Sequence, residues 1–297
     1  MRIASMGQAA FAATLIALGV LALIQGNSAP AWEGIPRGLP ARQALAYVCA
    51  VISLACGIGL FWRRTAVTAA RVLLVYLVLT LLLFRLPQVF PAPRVLGSWY
   101  GCAETAVMVA AAWVLYARFA ADWDRRWLGF ATGDQGLRIA RVLYGLALIF
   151  FGASHFIYVN LTTPLVPDWL PAHLFWAYFF GCTYIAAGAA LLIGVFARLA
   201  AVLVALQMGM FTLLVWIPML AAGQMHSITG SSWKEFVVSW TLTACVWVLA
   251  DFYRGKGLPR KRGHSTFLKL PRMLSCAHAT HGPGLGGRGV LPRHQSR

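Results

Sequence analysis

Residues 152–194, GASHFIYVNLTTPLVPDWLPAHLFWAYFFGCTYIAAGAALLIG, decide the fold of the chain. They consist of the end of one apolar segment, a proline-rich loop around Pro167 and Pro171, and a second apolar segment. A backbone in lipid must satisfy its own hydrogen bonds, so each apolar segment is predicted to be a helix. The stretch therefore predicts a helical hairpin that crosses a membrane twice.

The same pattern occurs 131 residues earlier in the chain, around Pro36. A shift by 131 residues, without a gap, matches nine residues of the stretch and also places Pro218 on Pro87. Self-similarity at one fixed distance is typical of an internal repeat. We therefore predict two copies of one membrane unit, with a diverged first repeat over residues 1–120 and a second repeat over residues 137–253.

Composition places the chain in the membrane class. Hydrophobic residues make up 60% of the 297 residues and charged residues only 11%, which is too little charge to cover a soluble domain. The net charge is +17, but ten of the 25 Lys and Arg lie in the tail from residue 254 onward, and most others flank apolar segments. The basic balance therefore indicates membrane topology, and nucleic acid is not expected as a partner.

Eight apolar segments are long enough to cross a hydrocarbon core, which takes about 20 residues in a helix. We predict an all-α, polytopic transmembrane protein built as two tandem four-helix bundles, with spans near residues 9–25, 42–62, 66–86, 99–119, 138–158, 173–196, 199–221 and 234–253. Lys and Arg are concentrated in the loops on one side, which predicts cytoplasmic N- and C-termini. The expected location is the bacterial inner (plasma) membrane, with the lipid bilayer as a partner.

Two segments lie outside the predicted repeats. Residues 121–136 are expected to form a cytoplasmic linker with its tryptophans at headgroup depth. Residues 254–297 are basic and poor in apolar side chains, and are predicted to be a disordered tail. The first apolar segment has a second interpretation, because it is preceded by Arg2 and followed by Ala-Pro-Ala at residues 29–31, as in a signal peptide.

Polar side chains at membrane depth are the best guide to function, because they are costly to place there. In the second repeat they gather toward the predicted outer side, whereas the first repeat has no histidine. A histidine near a carboxylate, under a rim of Trp and Tyr, can accept protons from a quinone-type headgroup. The candidate ligand-binding residues are His155, Asp168, Trp169, His173, Tyr178, Tyr184 and Glu235.

A simpler interpretation of these residues stays open. His155 may satisfy a neighbouring backbone carbonyl, and Glu235 may face water, in which case both side chains only complete the ends of helices. No metal site is expected, because the His and Asp residues of this region have no recognisable ligand spacing. The two interpretations make different demands on the second nitrogen of His155.

The second repeat resembles the DoxX-like family of small four-helix membrane proteins. The resemblance is carried by His155-Phe156, residues 166–171 (VPDWLP), Tyr178, Gly181, Gly188, residues 191–193 (LLI) and residues 198–201 (RLAA). The first half is similar in a more diverged form at Leu86-Pro87, Pro91, Ser98-Trp99 and Glu104. Tyr184 stands where many members of the family have a glutamate.

The family takes its name from a membrane subunit of a thiosulfate:quinone oxidoreductase, and other members are associated with redox or thiol-stress assemblies. The resemblance therefore implies a membrane subunit or accessory of a quinone- or thiol-linked redox assembly, with other membrane redox proteins as partners. It implies a quinone as the cofactor to consider, and a quinone-linked oxidoreductase subunit rather than a stand-alone enzyme. Two alternatives remain, a carrier for a small solute between the two bundles and a non-catalytic membrane scaffold.

Overall fold

The computed structural model describes residues 5–25, 34–36, 38–223, 226–227 and 230–255. The predicted tail lies outside these residues, apart from Arg254 and Gly255 at the end of the last helix. The helices are α1 (Met6–Gln25), α2 (Arg42–Gly59), α3 (Arg63–Thr80), α4 (Tyr100–Phe119), α5 (Asp122–Trp127), α6 (Gly133–Ile157), α7 (Val159–Thr162), α8 (His173–Ile193), α9 (Ala197–Phe211), α10 (Ile217–Ala221) and α11 (Ser232–Gly255). Two short strands, β1 (His226–Ser227) and β2 (Gly230–Ser231), pair antiparallel before α11.

In the described part of the chain, eight helical segments are long and apolar enough to cross a membrane, which confirms the predicted all-α polytopic fold. The segments are Met6–Ile24, Arg42–Gly59, Arg63–Gln88, Leu96–Phe119, Gly133–Ile157, His173–Ile193, Ala197–Ala221 and Glu235–Arg254. The fifth begins inside the predicted linker, because α6 already starts at Gly133. We call the side that carries residues 34–41, 89–99 and 158–172 the outer side, in line with the predicted orientation.

The helices of the two halves interlock. Consecutive spanning helices pack side by side from α1 to α4, and again from α6 through α8 and α9 to α11. In addition, α4 packs against α6, while α11 packs against both α1 and α4. The fourth spanning helix of each half therefore contacts the first helix of the other, and the two bundles share a seam at α4 and α11. These two helices are the most deeply buried of the eight.

Small residues bring the first two helices of each half into backbone contact. A Cβ at Gly57 of α2 would lie 2.8 Å from the carbonyl oxygen of Ala12 in α1. A Cβ at Gly188 of α8 would lie 2.7 Å from the carbonyl oxygen of Gly145 in α6. Since lipid offers no hydrophobic driving force for helix association, close packing of this kind holds the pairs together.

Two π-helical turns precede Pro87 and Pro218, where kinks or helix ends were predicted. Leu81–Arg85 follows α3, and Thr212–Trp216 follows α9. A proline disturbs the hydrogen bonds of the preceding turn, and a widened turn is one way to absorb that disturbance. The chain continues beyond each proline, as a short 3₁₀ turn after Arg85 and as α10 after Trp216.

A buried carboxylate anchors the connector between the halves. Asp124 of α5 accepts hydrogen bonds from Arg71 of α3, from the Tyr116 hydroxyl of α4 at 3.0 Å and from the Ala121 N–H at 3.0 Å. Burial raises the pKa of Asp124, but the hydrogen bonds from Arg71, Ala121 and Tyr116 outweigh it and hold the pKa below its usual value. The neighbouring Trp123 is exposed, as expected for a side chain at headgroup depth.

Candidate functional site

His155 lies two residues before the end of α6 and is half-buried. Its Nδ1 is 2.8 Å from the carbonyl oxygen of Phe151, one turn earlier. A carbonyl oxygen can only accept, so Nδ1 carries the proton and Nε2 of the neutral ring is left as an acceptor. Within the described residues Nε2 makes no hydrogen bond. The simpler interpretation is thus correct for one nitrogen, and the other remains available to a ligand.

Tyr184 of α8 lies next to His155. The two ring centroids are 5.4 Å apart, and the Tyr184 side chain is buried. Its hydroxyl is within hydrogen-bonding reach of the Gln207 side chain of α9. Gln207 Oε1 also accepts a hydrogen bond from Thr183 Oγ1 at 2.6 Å. The structure therefore joins two predicted site residues, and a polar residue of a third helix fixes one of them.

Tyr100 of α4 connects this pair to the seam between the halves. Its ring packs against Phe151 of α6 at a centroid distance of 5.6 Å. Glu104 of α4, Glu235 of α11 and Tyr184 are all close enough to interact electrostatically with Tyr100. Glu235 therefore belongs to the same polar region as Tyr184, although it lies on a different helix.

The other four candidates lie further toward the outer surface. Tyr178 stacks on Phe156 with centroids 5.5 Å apart, and this pair covers the outer end of the α6–α8 contact. Asp168 and Trp169 are exposed in the loop before α8, and His173 is the first residue of α8. Within the described chain, no hydrogen bond or ion pair joins these last three residues to His155 or Tyr184.

A charged cavity in the first half was missed by the sequence analysis. The cavity has room for about one water molecule, and Arg85, Glu104, Thr105 and Thr241 supply its polar wall. The guanidinium of Arg85 lies directly against Gly101 of α4, where a Cβ would collide with it. The available signal was Arg85 itself, because it interrupts the apolar run before Pro87.

The described residues contain no group of three or more His, Cys, Asp or Glu side chains that is placed to hold a metal ion. The chemistry of the site therefore rests on hydrogen bonds from and to single side chains. Comparison with protein-family models, with curated proteins and with solved structures finds no match to this chain. Function must be argued from the geometry and from the sequence resemblance.

Proposed function

We propose that this integral membrane protein is a membrane subunit or accessory of a redox assembly, of the DoxX-like type, and that it binds a quinone-type headgroup in its reduced form. The observation that carries the proposal is the orientation of His155. Its Nδ1–H is committed to Phe151, so its Nε2 is an acceptor that a ligand hydroxyl can satisfy. A reduced headgroup presents hydroxyls, whereas the oxidised form presents only carbonyl acceptors.

The surroundings of His155 suit a planar ring. Tyr184 and Phe151 place two aromatic rings beside the imidazole, and Tyr100 extends the aromatic wall toward α4. Aromatic side chains bind other rings through stacked and edge contacts in addition to simple burial. The site lies toward one end of the spanning helices, where the headgroup of a membrane-dissolved molecule can reach it.

The proposal includes an origin by duplication, for which the chain offers matched local features. The helices that follow the proline-rich loops each begin after a left-handed residue, Ala41 and Ala172. The two π turns begin at Leu81 and Thr212, which are also 131 residues apart. Unrelated segments have no reason to place two rare conformations at the same separation.

The alternatives of a carrier and a simple scaffold have less support. A carrier needs a polar path between the bundles, but the seam is formed by α4 and α11, the two most buried spanning helices. Their buried positions are mostly Ala and Val, including Ala110, Ala111, Val246 and Val248. A scaffold requires no acceptor at membrane depth, and such groups are rarely placed there without a use.

The test is a binding measurement on the purified protein in nanodiscs, with ubiquinol-1 as the probe. His155→Ala should weaken binding by up to about tenfold, the value of one hydrogen bond to a neutral group. Arg42→Ala, at the position that matches His173 in the first half, should leave binding unchanged. Absence of binding to the unmodified protein, or equal losses in both variants, would refute the proposal.

A further inference from the structure

Trp216, the last residue of the second π turn, has a buried donor without an acceptor. Its side chain is only 4% exposed, and its Nε1 has no hydrogen-bond partner within the described residues. An indole N–H can only donate, and an unsatisfied donor is unfavourable inside a membrane protein. Buried groups of this kind require an explanation, and an absent ligand is one of the standard explanations.

The indole faces the interior of the second half. Thr212, which begins the same π turn, shares a 2.7 Å hydrogen bond with Ser239 of α11. Trp216 lies one turn further toward the outer side than Thr212, and Glu235 lies one turn further than Ser239. Trp216 therefore occupies the same wall as Glu235, which itself belongs to the polar region around Tyr100 and Tyr184.

The first half indicates how far such a side chain reaches. Arg85, the last residue of the first π turn, lines a cavity together with Leu18 of α1. Leu18 precedes Gly19, which packs against Ala50 and Leu54 of α2.

In the second half, Gly152 packs in the same way against Gly181 and Ile185 of α8. The residue before Gly152 is Phe151, whose carbonyl oxygen holds His155. A side chain that projects from the second π turn as Arg85 does from the first would therefore reach the level of Phe151 and His155.

We infer that Trp216 is the second anchor of the headgroup site, so that the ligand is a ring with a hydroxyl at one end and an acceptor oxygen at the other. This inference rests on the proposed function and specifies its ligand. The hydroxyl donates to His155 Nε2, and the opposite oxygen accepts from Trp216 Nε1–H. Since α8 packs between α6 and α9, the two anchors stand on helices that flank a third, which leaves a gap for the ring.

The two anchors have different preferences for the oxidation state of the ligand. Trp216 donates to an oxygen that is present in both the reduced and the oxidised form. His155 in its neutral form accepts only from the reduced form, because a carbonyl oxygen has no proton to donate. The unmodified protein should therefore bind ubiquinol-1 more tightly than ubiquinone-1, and His155 should be responsible for the difference.

The experiment measures the affinity of nanodisc-embedded protein for ubiquinol-1 and ubiquinone-1 by calorimetry. Trp216→Phe should weaken both by up to about tenfold, because the ring is kept and one hydrogen bond is lost. His155→Ala should weaken ubiquinol-1 alone. The matched control is Trp99→Phe, which also removes an indole N–H, but one that donates to the Pro93 carbonyl outside the site.

A second measurement does not depend on how well the variant folds. In the unmodified protein, labelled at the indole nitrogens of its 12 tryptophans, the resonance that Trp216→Phe removes should shift when ubiquinol-1 is added. Unchanged affinities in Trp216→Phe together with an unshifted resonance would overturn the inference, while a loss in His155→Ala would still leave the proposed function in place. No binding of either probe to the unmodified protein would overturn both.

Discussion

Gly145 of α6 and Gly188 of α8 touch through their backbones. A Cβ built on Gly145 would lie 2.9 Å from the carbonyl oxygen of Gly188, and one built on Gly188 would lie 2.7 Å from that of Gly145. One turn and a half further toward the outer side, Gly152 and Gly181 repeat the contact, with a Cβ on Gly152 falling 2.7 Å from the Gly181 oxygen. This run of contacts sets the distance between the helices that carry His155 and Tyr184.

We predict that Gly188→Ala destabilises the protein by about 1–3 kcal/mol, because the new Cβ collides with backbone atoms that cannot rotate away. The measurement is the thermal midpoint of unfolding in detergent, together with the affinity for ubiquinol-1. Gly129→Ala is the control, since a Cβ there would meet nothing within 4 Å. Equal midpoints in the two variants would show that the contact has no such importance.

The contact of Gly101 with Arg85 predicts a coupling between the two positions. In the unmodified protein, Gly101→Ala must displace the Arg85 guanidinium, which offsets the gain of about 1 kcal/mol that alanine brings to a helix. When Arg85 is already replaced by alanine, Gly101→Ala should stabilise by that full amount. A double-mutant cycle of thermal midpoints measures the difference. Simple additivity would contradict the close contact.

Asp124 should make stability depend on pH in the acid range. Its pKa is lowered in the folded protein, so its contribution is complete above the unfolded value near 3.9 and is lost as the pH falls through the folded value. Asp124→Asn should therefore lower stability by about 1.5–3 kcal/mol at neutral pH. The gap to the unmodified protein should narrow only below about pH 4. The exposed Asp122→Asn is the control, and an equal loss in both variants would count against the anchor.

The orientation of the chain remains a prediction from its Lys and Arg. A reporter that works only in the cytoplasm should be active when fused after Arg126 or Gly255. The same reporter should be inactive after Thr163, which lies in the loop between α6 and α8. Activity at Thr163 would reverse the assignment of the outer side, and with it the side from which a headgroup enters.

The spanning helices could be predicted because their length and apolarity are properties of each segment alone. The packing of α4 on α6 and of α11 on α1 could not, because in a membrane protein an apolar face can meet either lipid or another helix. His155 and Tyr184 were found because polar groups in apolar runs are rare. The inward positions of Arg85 and Trp216 were missed, since they depend on π turns that have no signature in the sequence.

The first and last helices of the membrane region are joined by one hydrogen bond, from the Gly7 N–H to the Asp251 carboxylate at 2.8 Å. The partners are 244 residues apart, so α1 leaves the ribosome long before the helix it packs against exists. At about 5–20 residues per second, the wait is roughly 12–50 seconds. During that time the face of α1 that includes Gly7 must be covered by lipid or by a component of the insertion machinery. Assembly of the first half is therefore completed only after synthesis of the second.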